Sequence, residues 1–145
     1  MTARRLTTGD EARARDVALT FKSADVPAEH AARFLADPAH VLVVAEAAGE
    51  LAGFLLAYRL ERLDRAGAQL FVYEIDVAPA HRRRGIGTRL MEYVRRLVDQ
   101  ESLMEAFVFT SRDNAPAVSP YTGTGGKIEE DGGVLFVYPG PTTGE

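Results

Sequence analysis

The architecture of this chain follows from one segment, Leu70-Phe71-Val72-Tyr73-Glu74-Ile75-Asp76-Val77-Ala78-Pro79-Ala80-His81-Arg82-Arg83-Arg84-Gly85-Ile86-Gly87-Thr88-Arg89-Leu90-Met91. Its first part is rich in aromatic and β-branched residues, which predicts a strand. Pro79 lacks a backbone N–H and should end the pairing of that strand. From Ile86 the apolar residues recur at helical spacing. The segment therefore predicts a strand, a tight basic turn and a helix.

The turn between the strand and the helix has the composition of an anion-binding site. The first N–H groups of a helix have no internal partner and carry partial positive charge, so phosphate binds there readily. Gly85 and Gly87 have no Cβ, which lets an anion approach the backbone. Arg82, Arg83 and Arg84 add positive charge to this end, and a negative group is expected to compensate it. The alternative is a solvated basic loop with a glycine turn.

The composition fits one domain and excludes several classes of site. A chain of 145 residues with 46% hydrophobic and 26% charged residues is ordinary for a globular domain. No apolar run reaches the length of a membrane span, and no signal-peptide core follows the N-terminus. The absence of cysteine excludes disulfides and thiol nucleophiles, and the three histidines lack metal-ligand spacing. We expect a cytoplasmic protein without a metal site.

The charge distribution points to an anionic ligand and a cationic one. The net charge is −4, yet Arg82–Arg84 form a local cationic cluster. A nucleic-acid binder should be basic over a whole face, so nucleic acid is not an expected partner. An RNA-binding module would also need aromatic residues among the basic ones. An acidic protein with one basic patch suits an anionic cofactor and a cationic second substrate.

Apolar runs and turn residues divide the rest of the chain into short elements. We expect a strand over residues 2–7, helices from about Asp10 to Lys22 and from Pro27 through Leu35, strands over His40–Glu46, Leu51–Leu60 and Gln69–Val77, a helix over Gly85–Gln100, a strand over Ala106–Thr110, and a closing hairpin of Lys127–Asp131 with Val134–Tyr138. The strand, helix, strand order in the middle is a βαβ unit, so its two strands should be parallel neighbours.

Two loops should meet at one ligand, because ligands of open α/β sheets bind outside the carboxyl ends of the strands. These loops are Arg82–Gly87 and Asp113–Asn114. The motif Arg82-x-x-Gly85-x-Gly87, directly after Val77-Ala78-Pro79, resembles the acyl-CoA signature of the GNAT acetyltransferase superfamily. Asn114-x-x-Ala117-x-x-x-Tyr121 follows in the expected order.

The resemblance extends to the aminoglycoside acetyltransferases that modify the 3-amino group. It covers residues 40–138 and includes Phe71–Glu74, His81–Ile86, Pro116–Thr122 and Glu129–Glu130. It implies an α/β GNAT fold with a mixed central β-sheet of about six to seven strands and about four helices. A single domain would span residues 1–139, with a disordered tail over 140–145. Pro120 departs from the family pattern, because proline does not fit the interior of the short helix expected over residues 115–122.

The resemblance implies acetyl-CoA as the acyl donor and direct attack by the acceptor in a ternary complex. The backbone of Ile75 and Val77 would pair with the pantetheine arm, and the Val77 amide would polarise the thioester carbonyl. Asn114 matches a cofactor-contacting asparagine, although a turn residue that caps a helix is the alternative. The predicted residues for coenzyme A are Ile75, Val77, Arg82, Arg83, Arg84, Gly85, Ile86, Gly87, Thr88 and Asn114.

Two carboxylates on the central strand are the candidates for amine deprotonation. Glu74 and Asp76 should project from the same strand face, and charge there is costly unless it is paired. Glu74 matches the acidic residue of the aminoglycoside enzymes, three positions before Val77, and is the predicted general base or substrate anchor. An ion pair with a nearby arginine is the alternative for Glu74. Asp76 is the second candidate.

Tyr121 matches the family tyrosine that lies near the sulfur and acts as a general acid. A phenol with a pKa near 10 can protonate a thiolate whose pKa is near 8.5. The alternative is a core aromatic residue with a hydrogen-bonded hydroxyl. Glu129 and Glu130 would extend an acidic acceptor site, or belong to a solvated hairpin. Asp25 and Glu29 either meet a cation or are solvated surface acids.

The resemblance thus implies an acetyl-CoA-dependent N-acetyltransferase that acts on an aminoglycoside antibiotic at the 3-amino group and confers resistance. There are two alternatives to this function. The acceptor is another small-molecule amine or a protein amine, or the chain is an acyl-CoA-binding module without catalysis. The aminoglycoside enzymes are often dimers, so the resemblance allows a homodimer. Neither nucleic acid nor a membrane is an expected partner.

Overall fold

The fold is built on a five-stranded sheet in the order β1-β2-β3-β4-β5. The computed structural model describes residues 1–110, 120–128 and 134–141. Their elements are β1 (Thr2–Arg5), α1 (Glu11–Lys22), α2 (Ala28–Ala36), β2 (His40–Ala47), β3 (Glu50–Glu61), β4 (Ala68–Val77), a 3-10 turn (Pro79–His81), α3 (Ile86–Gln100) and β5 (Glu105–Val108). Residues 120–123 are also helical.

The sheet is mixed, as the sequence predicts. Strands β1 to β4 pair antiparallel, whereas β4 and β5 pair in parallel through the crossover helix α3. The predicted βαβ unit is therefore confirmed. Asp10 directly precedes α1, and its carboxylate accepts a hydrogen bond from the Thr7 N–H instead of capping the helix.

Two apolar clusters hold helices against opposite faces of the sheet. On one face α3 covers the larger cluster, in which Leu55, Leu70 and Leu90 are fully buried. On the other face α1 and α2 cover a smaller cluster that contains Val17 and Phe54. Strand β2 is buried on both faces over Val41–Ala45, which explains its continuous apolar run.

The predicted strand count is wrong for the residues that the structure describes, since they form five strands instead of six to seven. The described part of the expected closing hairpin contains no strand, and the side chains of Val134–Tyr138 are exposed. β-Branched and aromatic residues favour a strand when a neighbouring strand gives them a pleated surface, and residues 134–138 pair with none. Glu129 and Glu130 lie outside the described residues.

A β-bulge in β4 sets the direction of the functional side chains. Val72 pairs with Ala57 and Glu74 pairs with Leu56, so Tyr73 is an extra residue in the ladder. Beyond this bulge the alternation shifts by one residue. Ile75 therefore packs against the α3 side, as Val72 does, and Glu74 lies on the opposite side.

Gly53 lets the beginning of α3 approach the sheet. A Cβ built on Gly53 would lie 2.9 Å from the Asp76 carbonyl oxygen and 2.9 Å from Ile86 Cγ2. Both distances are shorter than real Cβ contacts allow, and the carbonyl is backbone that cannot rotate away. A side chain at position 53 would therefore push α3 away from β4, where the anion-binding turn begins.

We expect Gly53→Ala to lower the free energy of unfolding by about 1–3 kcal/mol, the usual cost of overpacking a core. Urea denaturation followed by circular dichroism measures the change. Gly123→Ala is the matched control, because nothing lies within 4 Å of a Cβ built there. Equal stability of Gly53→Ala and the wild type would contradict the role of Gly53.

Candidate active site

A cleft of about 270 Å³ lies on the α1 side of β4, between the end of α1, the end of β5 and the helical residues 120–123. Three of its lining residues are the predicted catalytic set: Glu74, Asp76 and Tyr121. The other lining residues are Phe21, Lys22, Phe54, Tyr73, Ile75, Val108, Phe109 and Thr110. The tertiary structure thus brings together carboxylates and a phenol from distant parts of the sequence.

Glu74 forms an ion pair with Lys22, whose Nζ donates a hydrogen bond to Glu74 Oε2. The hydrogen bond to Glu74 raises the pKa of Lys22 above its usual value, despite the opposing effect of burial. The Lys22 side chain is 52% exposed and that of Glu74 is 24% exposed. The expected alternative for Glu74, an ion pair with an arginine, is corrected by this finding: the partner is a lysine from α1.

Packing of Phe21 on Phe54 positions Lys22 over the sheet. The ring centroids of these phenylalanines are 4.8 Å apart, which holds the last turn of α1 against β3. Ser23 then ends the helix in the left-handed conformation, with φ 52°. The sequence pattern gives no signal that Lys22 is a site residue, because its contact with Glu74 joins residues 52 positions apart.

Asp76 lies beside Glu74 in the cleft and contacts the backbone that follows it. The Val77 N–H donates a hydrogen bond to Asp76 Oδ1 at 2.8 Å. Arg82 Nη2 lies 3.9 Å from the same oxygen, and Arg82 Nε donates to the Val77 carbonyl at 3.3 Å. The Asp76 carboxylate therefore accepts the hydrogen bond of the Val77 amide. The sequence resemblance assigns this same amide to the thioester carbonyl.

The second half of β4 has one edge without a β5 neighbour. Pairing with β5 ends at Val72, opposite Val108, whereas β4 continues to Val77. The Ala78 N–H donates to the Ala52 carbonyl, so even-numbered residues here point their N–H groups toward β3. The N–H groups of Ile75 and Val77 therefore point toward the other edge, which no described strand covers beyond Val72 and where an extended ligand can pair with the strand.

The N-terminus of α3 lies next to this open edge. The first helical hydrogen bond runs from the Arg89 N–H to the Gly85 carbonyl, so the N–H groups of Ile86, Gly87 and Thr88 precede the helical ladder. Among the described residues, no side chain caps this end. Gly85 (φ 75°) and Arg83 (φ 65°) have left-handed backbone, and Arg82–Gly85 are exposed. This arrangement fits an anionic ligand such as a pyrophosphate.

Tyr121 reaches the cleft from residues 120–123, which lie against the start of α3. A Cβ on Gly87 would lie 3.3 Å from Pro120 Cγ, so the absent side chain at position 87 makes room for Pro120. Pro120 is the first of the described helical residues, and residues 115–119 of the expected helix lie outside the described residues. Burial raises the pKa of the Tyr121 hydroxyl, which keeps it protonated at neutral pH.

The described structure does not place the remaining predicted residues in the cleft. Asn114, Glu129 and Glu130 are outside the described residues. Asp25 does not line the cleft and pairs with Arg15 at 3.5 Å. In the described part of the chain, no cluster of three potential metal ligands occurs. Within the same ranges, no helix has the length and apolar character needed to cross a bilayer.

Comparisons with known proteins identify relatives of this fold. A model of the acetyltransferase (GNAT) family matches residues 11–125. The mycothiol acetyltransferase of Clavibacter michiganensis subsp. michiganensis (strain NCPPB 382) is 35% identical over 85 residues, which are 59% of this chain and 26% of that protein. The chain therefore covers about a quarter of the length of this relative.

Two solved structures are also similar. The aminoglycoside acetyltransferase meta-AAC0020 from an uncultured soil metagenomic sample, in complex with sisomicin, has a TM-score of 0.86 and 22% identity over 95% of both chains. The aminoglycoside acetyltransferase HMB0005 from an uncultured soil metagenomic sample has a TM-score of 0.80 and 25% identity over 94% of this chain and 98% of its own.

The ion pair predicts how Lys22 titrates. We expect Glu74→Gln to lower the pKa of Lys22, because the amide removes the negative charge that favours the ammonium. Reductive methylation with ¹³C-formaldehyde gives each lysine an NMR reporter, and the chain has only Lys22 and Lys127. Glu61→Gln, an exposed change at the end of β3, is the control. The same Lys22 midpoint in wild type and Glu74→Gln would exclude the ion pair in solution.

Proposed function

Since the chain belongs to the acetyltransferase (GNAT) family, we propose that it transfers the acetyl group of acetyl-CoA to an amine of an aminoglycoside antibiotic, in a direct ternary complex. Acetyltransferases of this family use acetyl-CoA. The observation that carries the proposal is the position of Glu74, Asp76 and Tyr121 in one cleft, beside the open edge of β4. Acetylation would remove a positive charge from the drug, which is the basis of resistance.

The donor would be held by the backbone of β4 and by the turn before α3. Ile75 and Val77 offer outward N–H groups to the pantetheine arm, and residues Arg82–Thr88 offer helix N–H groups and cationic side chains to the pyrophosphate. When bound, acetyl-CoA supplies an activated acyl group. The Val77 N–H, which now donates to Asp76, would polarise the carbonyl of that group once Asp76 no longer accepts its hydrogen bond.

Glu74 would remove the proton from the acceptor amine. An aminoglycoside ammonium is cationic near neutral pH, so a carboxylate both attracts it and accepts its proton. In the free protein Lys22 forms an ion pair with that carboxylate. A cationic acceptor would replace Lys22 as the partner of Glu74. Asp76 adds a second negative charge to the same cleft. Tyr121, a phenol that is protonated at neutral pH and whose pKa burial raises further, would protonate the leaving thiolate.

The choice of acceptor rests on chemistry and on relatives. An acidic cleft with exposed aromatic rings, Tyr73 and Phe109, suits a polycation with apolar ring faces. The similar structures of aminoglycoside acetyltransferases support this acceptor class. The 3-amino position rests on the sequence resemblance alone. The mycothiol acetyltransferase relative favours a second candidate, a different small-molecule amine.

The cellular location and the assembly state remain predictions. Acetyl-CoA is a cytoplasmic metabolite, so we place the proposed reaction in the cytoplasm. The sequence resemblance allows a homodimer.

Thiol release from acetyl-CoA, with gentamicin as acceptor, tests the reaction. We expect turnover in the wild type and a loss of about 10²-fold or more in kcat/KM for Glu74→Gln and for Tyr121→Phe, the usual contribution of an acid or a base. Exposed matched controls are Glu61→Gln and Tyr138→Phe, which should keep wild-type rates. A panel of other amines, run beside gentamicin, decides between the two acceptor classes. Turnover of another amine without any aminoglycoside would refute the proposed acceptor.

The cationic turn before α3 predicts salt-sensitive binding of coenzyme A. Arg84→Ala should weaken binding about threefold to fivefold, because one exposed charge beside an anion is worth about 1 kcal/mol or less. Calorimetry at about 50 mM and about 500 mM NaCl should show a smaller salt effect in the variant, since salt screens exposed charges. Arg95→Ala, an exposed change farther along α3, is the control. Equal losses in both variants would exclude a specific role for the turn.

A further inference from the structure

The side-chain amine of Lys22 lies where an acceptor amine is needed. A general base acts on a proton within hydrogen-bond reach, and Lys22 Nζ already donates a hydrogen bond to Glu74 Oε2. Lys22 also lines the cleft that contains Tyr121. An amine, a base and an acid thus meet in this cleft before any acceptor enters it.

We propose that Lys22 is a self-acetylation site, whose amine takes the acetyl group of an acyl-CoA thioester when no cationic acceptor occupies the cleft. This inference rests on the proposed function, because it uses the same acyl donor and the same base. It goes beyond that function in assigning a covalent modification to this chain. The product is Nε-acetyllysine at position 22.

The reaction balances with the groups present in the cleft and a CoA thioester. Glu74 accepts a proton from the Lys22 ammonium, and the free amine attacks the thioester carbonyl carbon. A C–N bond forms, the C–S bond breaks, and the sulfur leaves with the bonding electron pair. Of the three ammonium protons, one stays on the amide nitrogen. A second proton is equivalent to the one that Tyr121 gives to the thiolate, which leaves as a thiol. The third proton passes through Glu74 to solvent.

The ion pair does not hold Lys22 away from an acyl group. Half-exposed pairs contribute little to stability, about 1 kcal/mol or less, and the Lys22 side chain is 52% exposed. Lysine has a flexible four-carbon stem with rotatable donors. The contact between Phe21 and Phe54 holds the base of that stem at the cleft, so the amine can move within the site without moving α1.

The only other lysine, Lys127, provides an internal control. It is exposed and does not line the cleft. Acetyl donors also modify lysines without catalysis, in proportion to the fraction present as free amine. Because Glu74 raises the pKa of Lys22, that fraction is smaller for Lys22 than for an ordinary lysine. Preferential acetylation of Lys22 would therefore require help from the site.

The test incubates the full chain with acetyl-CoA and no acceptor. Digestion with Glu-C, which does not cleave at lysine, and mass spectrometry then give the acetylated fraction at Lys22, at Lys127 and at the N-terminus. We expect Lys22 to be acetylated about tenfold faster than Lys127. This ratio is smaller than the rate enhancement that a positioned general base usually contributes. Acetyl phosphate, a donor without the coenzyme A moiety, should give no preference for Lys22. Equal acetylation of the two lysines by acetyl-CoA would overturn the proposal.

Variants assign the reaction to the cleft. Lys22→Arg keeps the positive charge and should remove the modification from the α1 peptide. Glu74→Gln should reduce acetylation of Lys22 to the level of Lys127, whereas Glu61→Gln should not. Added gentamicin should slow the acetylation of Lys22 by competing for Glu74. This measurement uses the wild-type chain, so it does not depend on the folding of a variant. Unchanged acetylation of Lys22 in Glu74→Gln would overturn the assignment of the base.

A parallel turnover assay separates this inference from the proposed function. Acetylated Lys22 without any aminoglycoside turnover supports the inference and refutes the proposed acceptor. Aminoglycoside turnover with Lys22 modified no faster than Lys127 refutes the inference and leaves the proposed function in place. Absence of both reactions, with coenzyme A bound in calorimetry, refutes both.

Discussion

The active-site geometry depends on the unequal pairing of β4 along its two edges. One edge pairs with β3 as far as Val77, while the other pairs with β5 only as far as Val72. Backbone N–H and C=O groups need partners, so an edge without a neighbouring strand is open to an extended ligand. The same divergence separates the end of β5 from β4 and forms the cleft that contains Glu74 and Tyr121. The proposed donor and acceptor sites thus share one structural origin.

The carboxylates in the cleft show how the protein holds charge on a central strand. Lys22 pairs with Glu74, and the Val77 N–H donates to Asp76. Both partners are partly exposed, so these contacts are weak enough to exchange for contacts with ligands. In the proposed reaction each partner would give way to a ligand group: the ammonium of Lys22 to an acceptor amine, and the carboxylate of Asp76 to the thioester carbonyl oxygen. The free protein therefore satisfies its reactive groups internally.

Sequence patterns predicted the local elements well and the long-range pairing less well. The junction around Arg82–Gly87 forms as expected, because propensity, glycine positions and helical spacing act within a few residues. The closing hairpin over residues 127–138 was predicted from apolar runs and turn residues within the segment, and the described residues there form no strand. A strand requires a partner, and partner choice does not appear in the composition of a segment.

The local sequence determined the strand–turn–helix unit, the shared face of Glu74 and Asp76, and the relation to an acyltransferase family. These properties depend on backbone periodicity and on residues close together in the chain. Only the tertiary structure decided that Tyr73 forms a bulge, that Gly53 admits the start of α3, and that Lys22 pairs with Glu74 across 52 residues. Each of these results from packing one element against another, and a one-residue shift in register would have placed different side chains in the cleft.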